Sequence, residues 1–309
     1  MKAMRVNNAE QGPLLIAAAL PQPQPGEGQL LIRVRATGVT PTELIWYPTA
    51  HTKEGGRRTR AVPGHEFSGV IAALGKGAND FNVGDEIYGM NDWFADGATA
   101  EFCLTEPQNI ALKPKGLCHE LAATVPIGAL TAWQGLLDRA KMQSGERVLI
   151  HGAAGAVGLF AVQLAQLHGA YVIATASARN TDFVKQLGAD EVIDYETSRF
   201  EGQVENVDIV FDAVGGETLD RSWVVLKPGG RMVTIAADSE STMDQRVKDA
   251  FFIVEPDQTQ LLEVAKLLDA GILRAFVSAV VPLEEASVAY GSAVRDKRGY
   301  GKVVIAVAA

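Results

Sequence analysis

Between Val148 and Phe160 the chain reads Val-Leu-Ile-His-Gly-Ala-Ala-Gly-Ala-Val-Gly-Leu-Phe, an apolar run that passes through three glycines into an apolar helical pattern. A strand that opens a helix through such a turn is the setting in which backbone N–H groups and the helix dipole hold a pyrophosphate. Gly155 lets the backbone approach the phosphates and Gly158 lets the helix pack on the strand. The spacing departs from G-x-G-x-x-G, because Ala153 stands at a glycine position. A tight turn of purely structural purpose reads the same way locally, but the next strand, Tyr171 to Thr175, falls where a βαβ unit needs it. Gly152, Ala153, Gly155, Ala156 and Val157 are therefore the candidate phosphate cradle.

Downstream, strand and helix patterns alternate. Helices are expected over Val157 to Leu167, Thr181 to Leu187, Leu219 to Leu226 and Gln258 to Ala270, the last with Leu261, Leu262, Ala265 and Leu268 on one face and Gly271 as its stop. Strands are expected at 147–151, 171–175, 191–195, 207–212 and 231–236. This rhythm predicts a parallel sheet flanked by helices. Upstream of about residue 122 the pattern is short strands and turns, at Gln29 to Ala36, Phe67 to Gly75 and Asn82 to Gly89. With 309 residues, two domains are expected at roughly 150 residues each. The expectation is an α/β chain: a mainly-β domain over 1–122, a doubly wound nucleotide-binding domain over 123–272, and 273–309 returning to the first domain. Strands near Phe276–Val281 and Lys302–Val307 could also finish the parallel sheet.

Charge and cysteine content narrow the class. The 28 Lys and Arg against 37 Asp and Glu give a net charge of −9, and the only basic cluster is the short Arg57, Arg58, Arg60 group, which disfavours nucleic acid as a partner. Two cysteines, Cys103 and Cys118, cannot build a disulfide framework or a four-cysteine zinc lobe, and both read as small packing residues in a reducing cytoplasm. No apolar run approaches about 18 residues, so no membrane span is expected. Met1 to Arg5 followed by Leu14 to Leu20 faintly imitates a signal peptide, but Asn7 to Gln11 separates the charge from the apolar run.

An NAD site places an acidic residue at the end of the second strand to bind the ribose 2′-hydroxyl. Here that segment is Thr175-Ala-Ser-Ala-Arg-Asn180, with no carboxylate before Asp182. Ser177 and Arg179 suit a 2′-phosphate, so NADP(H) is the expected cofactor. The bland reading is that Arg179 solvates a loop. His151, inside the apolar strand, reads as a core histidine more readily than as a proton shuttle.

Several motifs together give a resemblance. Pro25-Gly-Glu-Gly-Gln-Leu-Leu-Ile-Arg-Val34, Gly38-Val-Thr-Pro-Thr-Glu43, Pro63-Gly-His-Glu-Phe-Ser-Gly-Val70, Val83-Gly-Asp-Glu-Ile-Tyr-Gly89, the glycine turn, Leu187-Gly-Ala-Asp-Glu-Val-Ile-Asp-Tyr195 and Asp212-Ala-Val-Gly-Gly216 run along nearly the whole chain. The chain resembles the medium-chain dehydrogenase/reductase superfamily and, within it, the zinc-independent quinone oxidoreductases. The resemblance implies a GroES-like β domain and a Rossmann domain, with nicotinamide and substrate held in the cleft of the family fold. Zinc-dependent relatives ligate their metal with Cys, His and Cys, and at the matching places stand Thr40, His65 and Ile127. Zinc is therefore not expected, and His65-Glu66 reads as structural, with Glu66 pairing inside the β domain.

Site roles follow from the same resemblance. Thr40 lies where relatives often carry Asn beside the nicotinamide, and Tyr47 is the hydroxyl expected to meet a substrate oxygen, or else an amphipathic loop residue. Trp46, Trp93 and Phe94 form an aromatic wall for a planar substrate or simply pack. Thr131, Tyr195, Val214, Gly215, Ile235, Ala236, Phe252, Val254 and Lys302 match cofactor-lining positions. The implied activity is hydride transfer from NADPH to quinones or α,β-unsaturated carbonyls. A zinc-free enoyl reductase acting on a specialised thioester, or a low-turnover NADP(H)-binding sensor or structural protein, are the rivals. Relatives pair as homodimers through the nucleotide-binding sheet, and Phe276–Val281 is the candidate edge strand.

Overall fold

A computed structural model describes residues 1–9, 12–291 and 299–308. By contacts the chain divides into two units: Met1–Ile127 with Glu255–Lys297 and Lys302–Ala309, and Gly128–Val254 with Arg298–Gly301. The elements of the N-terminal stretch are β1 (Lys2–Ala9), β2 (Gly12–Ala19), β3 (Leu30–Gly38), α1 (Tyr47–Ala50), β4 (Glu66–Leu74), β5 (Glu86–Met90), β6 (Phe102–Thr105), β7 (Ile110–Leu112), α2 (His119–Ala122) and α3 (Pro126–Trp133). Next come β8 (Arg147–His151), α4 (Gly158–Leu167), β9 (Tyr171–Ala176), α5 (Thr181–Gln186), β10 (Glu191–Asp194), β11 (Val207–Asp212), α6 (Gly216–Ser222), β12 (Leu226–Thr234) and α7 (Gln245–Ala250). The chain closes with α8 (Gln258–Asp269), β13 (Val277–Pro282), α9 (Ala286–Ala289) and β14 (Lys302–Ala306).

In the first unit, seven strands form one sheet in the order β13-β14-β3-β4-β5-β7, with β6 paired to β3. β3 is buried almost throughout, because Leu30, Ile32 and Val34 face a core shared with Phe67, Ile71, Ile87 and Ile305. The segments that imitate a signal peptide are instead β1 and β2, an antiparallel pair in which Arg5 opposes Ile16. Of the spacer between them, Glu10 and Gln11 lie outside the described residues. α8 belongs to this unit, not to the parallel sheet, because its apolar face packs on β7. Asp257 caps it by accepting from the Gln260 amide, and Gly271, at φ +69°, ends it. Its buried residues are Leu261, Val264 and Leu268, while Leu262 is exposed, so Val264 takes the place expected for Leu262. Cys103 is buried in the core, whereas Cys118 is exposed rather than packed.

The second unit is a five-stranded parallel sheet in the order β10-β9-β8-β11-β12. β8 sits at its centre, and Val148, Leu149 and Ile150 are fully buried, as a strand covered on both faces requires. α6 starts and ends earlier than the pattern at Leu219–Leu226 predicts, since Leu226 already belongs to β12. β13 is not an edge of this sheet. It pairs in parallel with β14 in the first unit, with Val277 opposite Lys302, and is an edge strand of that unit's sheet, not of the nucleotide-binding sheet. No helix among the described residues is long and apolar enough to cross a membrane.

His151 is fully buried at the end of β8. Its Nδ1 lies 3.0 Å from Thr175 Oγ1, its Nε2 lies 3.0 Å from Ser222 Oγ, and its ring meets Phe200 edge-on at 4.6 Å. Burial pushes its imidazole down to about 3. The unfolded chain protonates near 6.5, so its stabilising neutral form is fully effective above that pH and is lost as pH falls toward 3. Denaturant titrations between pH 7 and 4 should show stability falling by up to about 1.4 kcal/mol per pH unit from this one proton. His151→Gln should remove that component of the slope.

Candidate functional site

Because all five strands of the second unit are parallel, their C-terminal ends fall on one edge of the sheet, the edge at which open α/β sheets bind ligands. β8 delivers Gly152 to Val157, β9 delivers Ser177 and Arg179, β10 delivers Tyr195, β11 delivers Val214 and Gly215, and β12 delivers Ile235 and Ala236. Gly152 takes φ +70°, and Gly155 donates back to the Gly152 carbonyl at 2.9 Å, closing the turn. A Cβ on Gly158 would run into that same carbonyl oxygen, so only glycine lets α4 start here. Among the described residues the Ala156 and Val157 amides have no backbone acceptor, which leaves them to an anion at the start of α4. Tyr195 and Val214 are half exposed on this edge. The cradle and its neighbours fit a dinucleotide.

A residue without an assigned role organises the β11 end. Asp212 is fully buried and accepts from the Val214 amide at 3.1 Å, the Gly215 amide at 3.1 Å and the Thr234 hydroxyl at 2.8 Å. Burial raises its carboxyl, and the Gly215, Thr234 and Val214 hydrogen bonds act against that rise. Gly215, at φ +81°, sits so close to Ala236 and Asp238 that a side chain there would collide with both. The sequence signal was an Asp that closes the apolar run Ile209-Val-Phe211 three residues before Gly215-Gly216.

The remaining positions of this unit, Arg179 apart, are more enclosed. Ser177 is buried and accepts from Asn180 Nδ2 at 3.3 Å, while Arg179 is exposed. Thr131 is buried on α3. Phe252 and Val254 are buried, and Arg139 lies 4.7 Å over the Phe252 ring.

In the first unit the matched positions gather around buried charges. Lys302 Nζ pairs with Glu66 and lies 3.5 Å from Thr40 Oγ1. Glu66 also accepts the Ile127 amide at 3.0 Å, which is the internal pairing expected of it. Burial pulls the Lys302 amine down to about 7, with Glu43 acting against that shift. Glu43 accepts from the Gly64 amide at 3.1 Å and the Tyr290 hydroxyl at 2.6 Å, and its other oxygen meets His65 Nδ1 at 2.5 Å. His65 Nε2 faces the Ala95 carbonyl at 3.3 Å. Both ring nitrogens thus face oxygen atoms of the protein itself. With an ammonium beside Thr40 and an aliphatic side chain at 127, these residues do not fit a zinc ion. Among the described residues no group of three His, Cys, Asp or Glu is placed to hold a metal. Glu43 and Tyr290 escaped sequence reasoning because they lie 247 positions apart.

The aromatic candidates divide. Trp93 is buried between Trp46 and His65, at 4.7 and 4.9 Å between ring centroids, and acts as packing rather than as an open wall. Tyr47 is half exposed and stacks on His51 at 4.2 Å. Phe94 lies under the Lys53 ammonium at 5.7 Å and lines a cavity of about 830 Å³ with Asp92, Thr105 and Pro256. Trp46 and Tyr47 do not line it.

This architecture defines a nicotinamide-dependent oxidoreductase. Residues 26–134 match the alcohol dehydrogenase GroES-like domain and residues 187–305 match the zinc-binding dehydrogenase family. A relative from Arthroderma benhamiae, "Probable zinc-binding oxidoreductase, mitochondrial", is 34% identical over 93% of this chain and 91% of its own. The quinone oxidoreductase structure from Coxiella burnetii superposes with a TM-score of 0.87 at 30% identity, covering 100% of this chain and 99% of that one. The CurK enoyl reductase structure gives 0.83 at 28% identity, covering 99% of each chain. The chain belongs to the medium-chain dehydrogenase/reductase superfamily.

The Lys302–Glu66 pair yields a direct stability test. Lys302→Met strands a buried carboxylate and should cost about 3–5 kcal/mol in urea denaturation. Adding Glu66→Gln should recover much of that loss. Equal losses in single and double variants would mean that the two charges are not coupled.

Proposed function

We propose that the chain is an NADPH-dependent, zinc-independent reductase that delivers hydride to quinones or α,β-unsaturated carbonyls. The observation that carries this reading is the replacement of a metal's donor set by internal partners: Lys302 beside Thr40, His65 bonded through both nitrogens, and Ile127. Without a Lewis acid, charge developing on a substrate oxygen must be met by hydrogen-bond donors, which suits acceptors already electron-poor through conjugation. Arg179 at the end of β9, where an NAD site carries a carboxylate, supports NADPH.

When bound, the dihydronicotinamide supplies the hydride. The amides of Ala156 and Val157 and the start of α4 hold the pyrophosphate, and Arg179 pairs with the 2′-phosphate. Lys302 Nζ donates to Thr40 Oγ1, so this contact occupies one of the two lone pairs of that oxygen and leaves the Thr40 proton free to point at a substrate oxygen. Tyr47, half exposed, offers a second hydroxyl donor. Thr131, Tyr195, Val214, Gly215, Ile235, Ala236 and Val254 would line the cofactor from the strand ends and from α3. The two cysteines, neither in a disulfide, suit a reducing compartment.

A second reading, an enoyl reductase on a thioester, takes support from the likeness to CurK. Rates on free enals and quinones against acyl thioesters, measured with chelator-treated protein, separate the two. Arg179→Glu should raise the KM for NADPH by about 10- to 100-fold and leave that for NADH within about twofold. An unchanged cofactor preference would remove the NADPH assignment.

A further inference from the structure

We infer that Gly299 and Tyr300 hold the Arg179 guanidinium in a preset orientation for the cofactor 2′-phosphate, so that a short piece of the returning C-terminal chain sets the preference for NADPH over NADH. This inference rests on the NADPH reading of Arg179. Three observations, all within the second unit, lead to it.

First, Gly299 to Gly301 group with the nucleotide-binding unit, although Lys302, which follows, groups with the other. Something in that unit engages them. Second, a Cβ built on Gly299 would lie 3.0 Å from Arg179 Nη2, 3.1 Å from Cζ and 3.2 Å from Nε. Three atoms of one plane at nearly equal distance mean that the guanidinium lies flat on the face of Gly299 where any other residue carries a side chain. Gly299 also takes φ +71°, a conformation that suits glycine. Third, the Tyr300 ring stacks on Phe183 at 3.8 Å and 11° between planes. Phe183 is on α5, which begins two residues after Arg179. The stack therefore clamps the glycine seat to the connection that presents the arginine.

The physical consequence concerns order. An exposed arginine surrenders much side-chain freedom when it closes on a phosphate. A flat seat on one face fixes the guanidinium plane beforehand and leaves its N–H edge to the ligand. The preset arginine favours only a ligand that carries the 2′-phosphate, which makes the seat a determinant of specificity and not of dinucleotide affinity in general.

The test is calorimetric titration of the full chain with adenosine 2′,5′-bisphosphate and with AMP, which differ by the 2′-phosphate. Gly299→Val and Tyr300→Ala are each measured alone and on an Arg179→Gln background. Each single variant should weaken the bisphosphate by about tenfold while AMP stays within about twofold, and neither should weaken the bisphosphate further once Arg179 is gone. Tyr300→Ala leaves the glycine backbone untouched, so it keeps the test valid if Gly299→Val fails to fold. Two results are distinguishable failures. If Arg179→Gln leaves the discrimination intact, the NADPH reading itself falls. If Arg179→Gln abolishes discrimination while the seat variants keep it, or weaken binding equally with and without Arg179, only the preset orientation is wrong.

Discussion

The nucleotide edge of the second unit depends on one close approach, that of Gly158 to the Gly152 carbonyl. It allows α4 to begin within a turn of the central strand β8, with its amide end aimed along the sheet edge. Replace the hydrogen on Gly158 with a methyl group and the helix must retreat from the strand, taking the Ala156 and Val157 amides with it. The rest of the edge then follows from the sheet being parallel. Five strand ends deliver their next residues to one side, and Asp212 fixes one of those ends by gathering two amides and a hydroxyl onto a buried carboxylate.

The first unit solves a different problem, that of keeping charges inside a β core. Glu66 and Glu43 are fully buried and each is compensated, one by Lys302 and the other by His65, Tyr290 and a backbone amide. Buried carboxylates persist only when their oxygens are satisfied. This network also bears on the chemistry. It engages both nitrogens of His65 and places the Lys302 amine beside Thr40. The positions that resemble metal ligands thereby become parts of an internal polar framework.

Some sequence signals were ambiguous because local physics does not separate their alternatives. The apolar run at Leu14–Leu20 has the composition of a short leader, yet it pairs as β2 with β1 over eight residues. The helix at Gln258–Asp269 shows its amphipathic period plainly, but the period does not say which surface it covers. For Trp93 the sequence left a cleft wall and simple packing both open, because aromatic residues line both cores and clefts, and the ring is buried.

By itself the sequence determined the parallel-sheet unit, the glycine turn, and the strand ends that bear Ser177, Arg179, Tyr195 and Val214. These are properties of short windows, in which periodicity, glycine placement and side-chain chemistry act over neighbouring residues. Only the tertiary structure decided that Lys302 pairs with Glu66, that Tyr290 reaches Glu43, that α8 packs on β7, and that Gly299 lies beneath Arg179. Each of these joins residues more than 100 positions apart, and no local propensity encodes such a pairing. It arises when the chain closes its sheets and buried charges must find their partners.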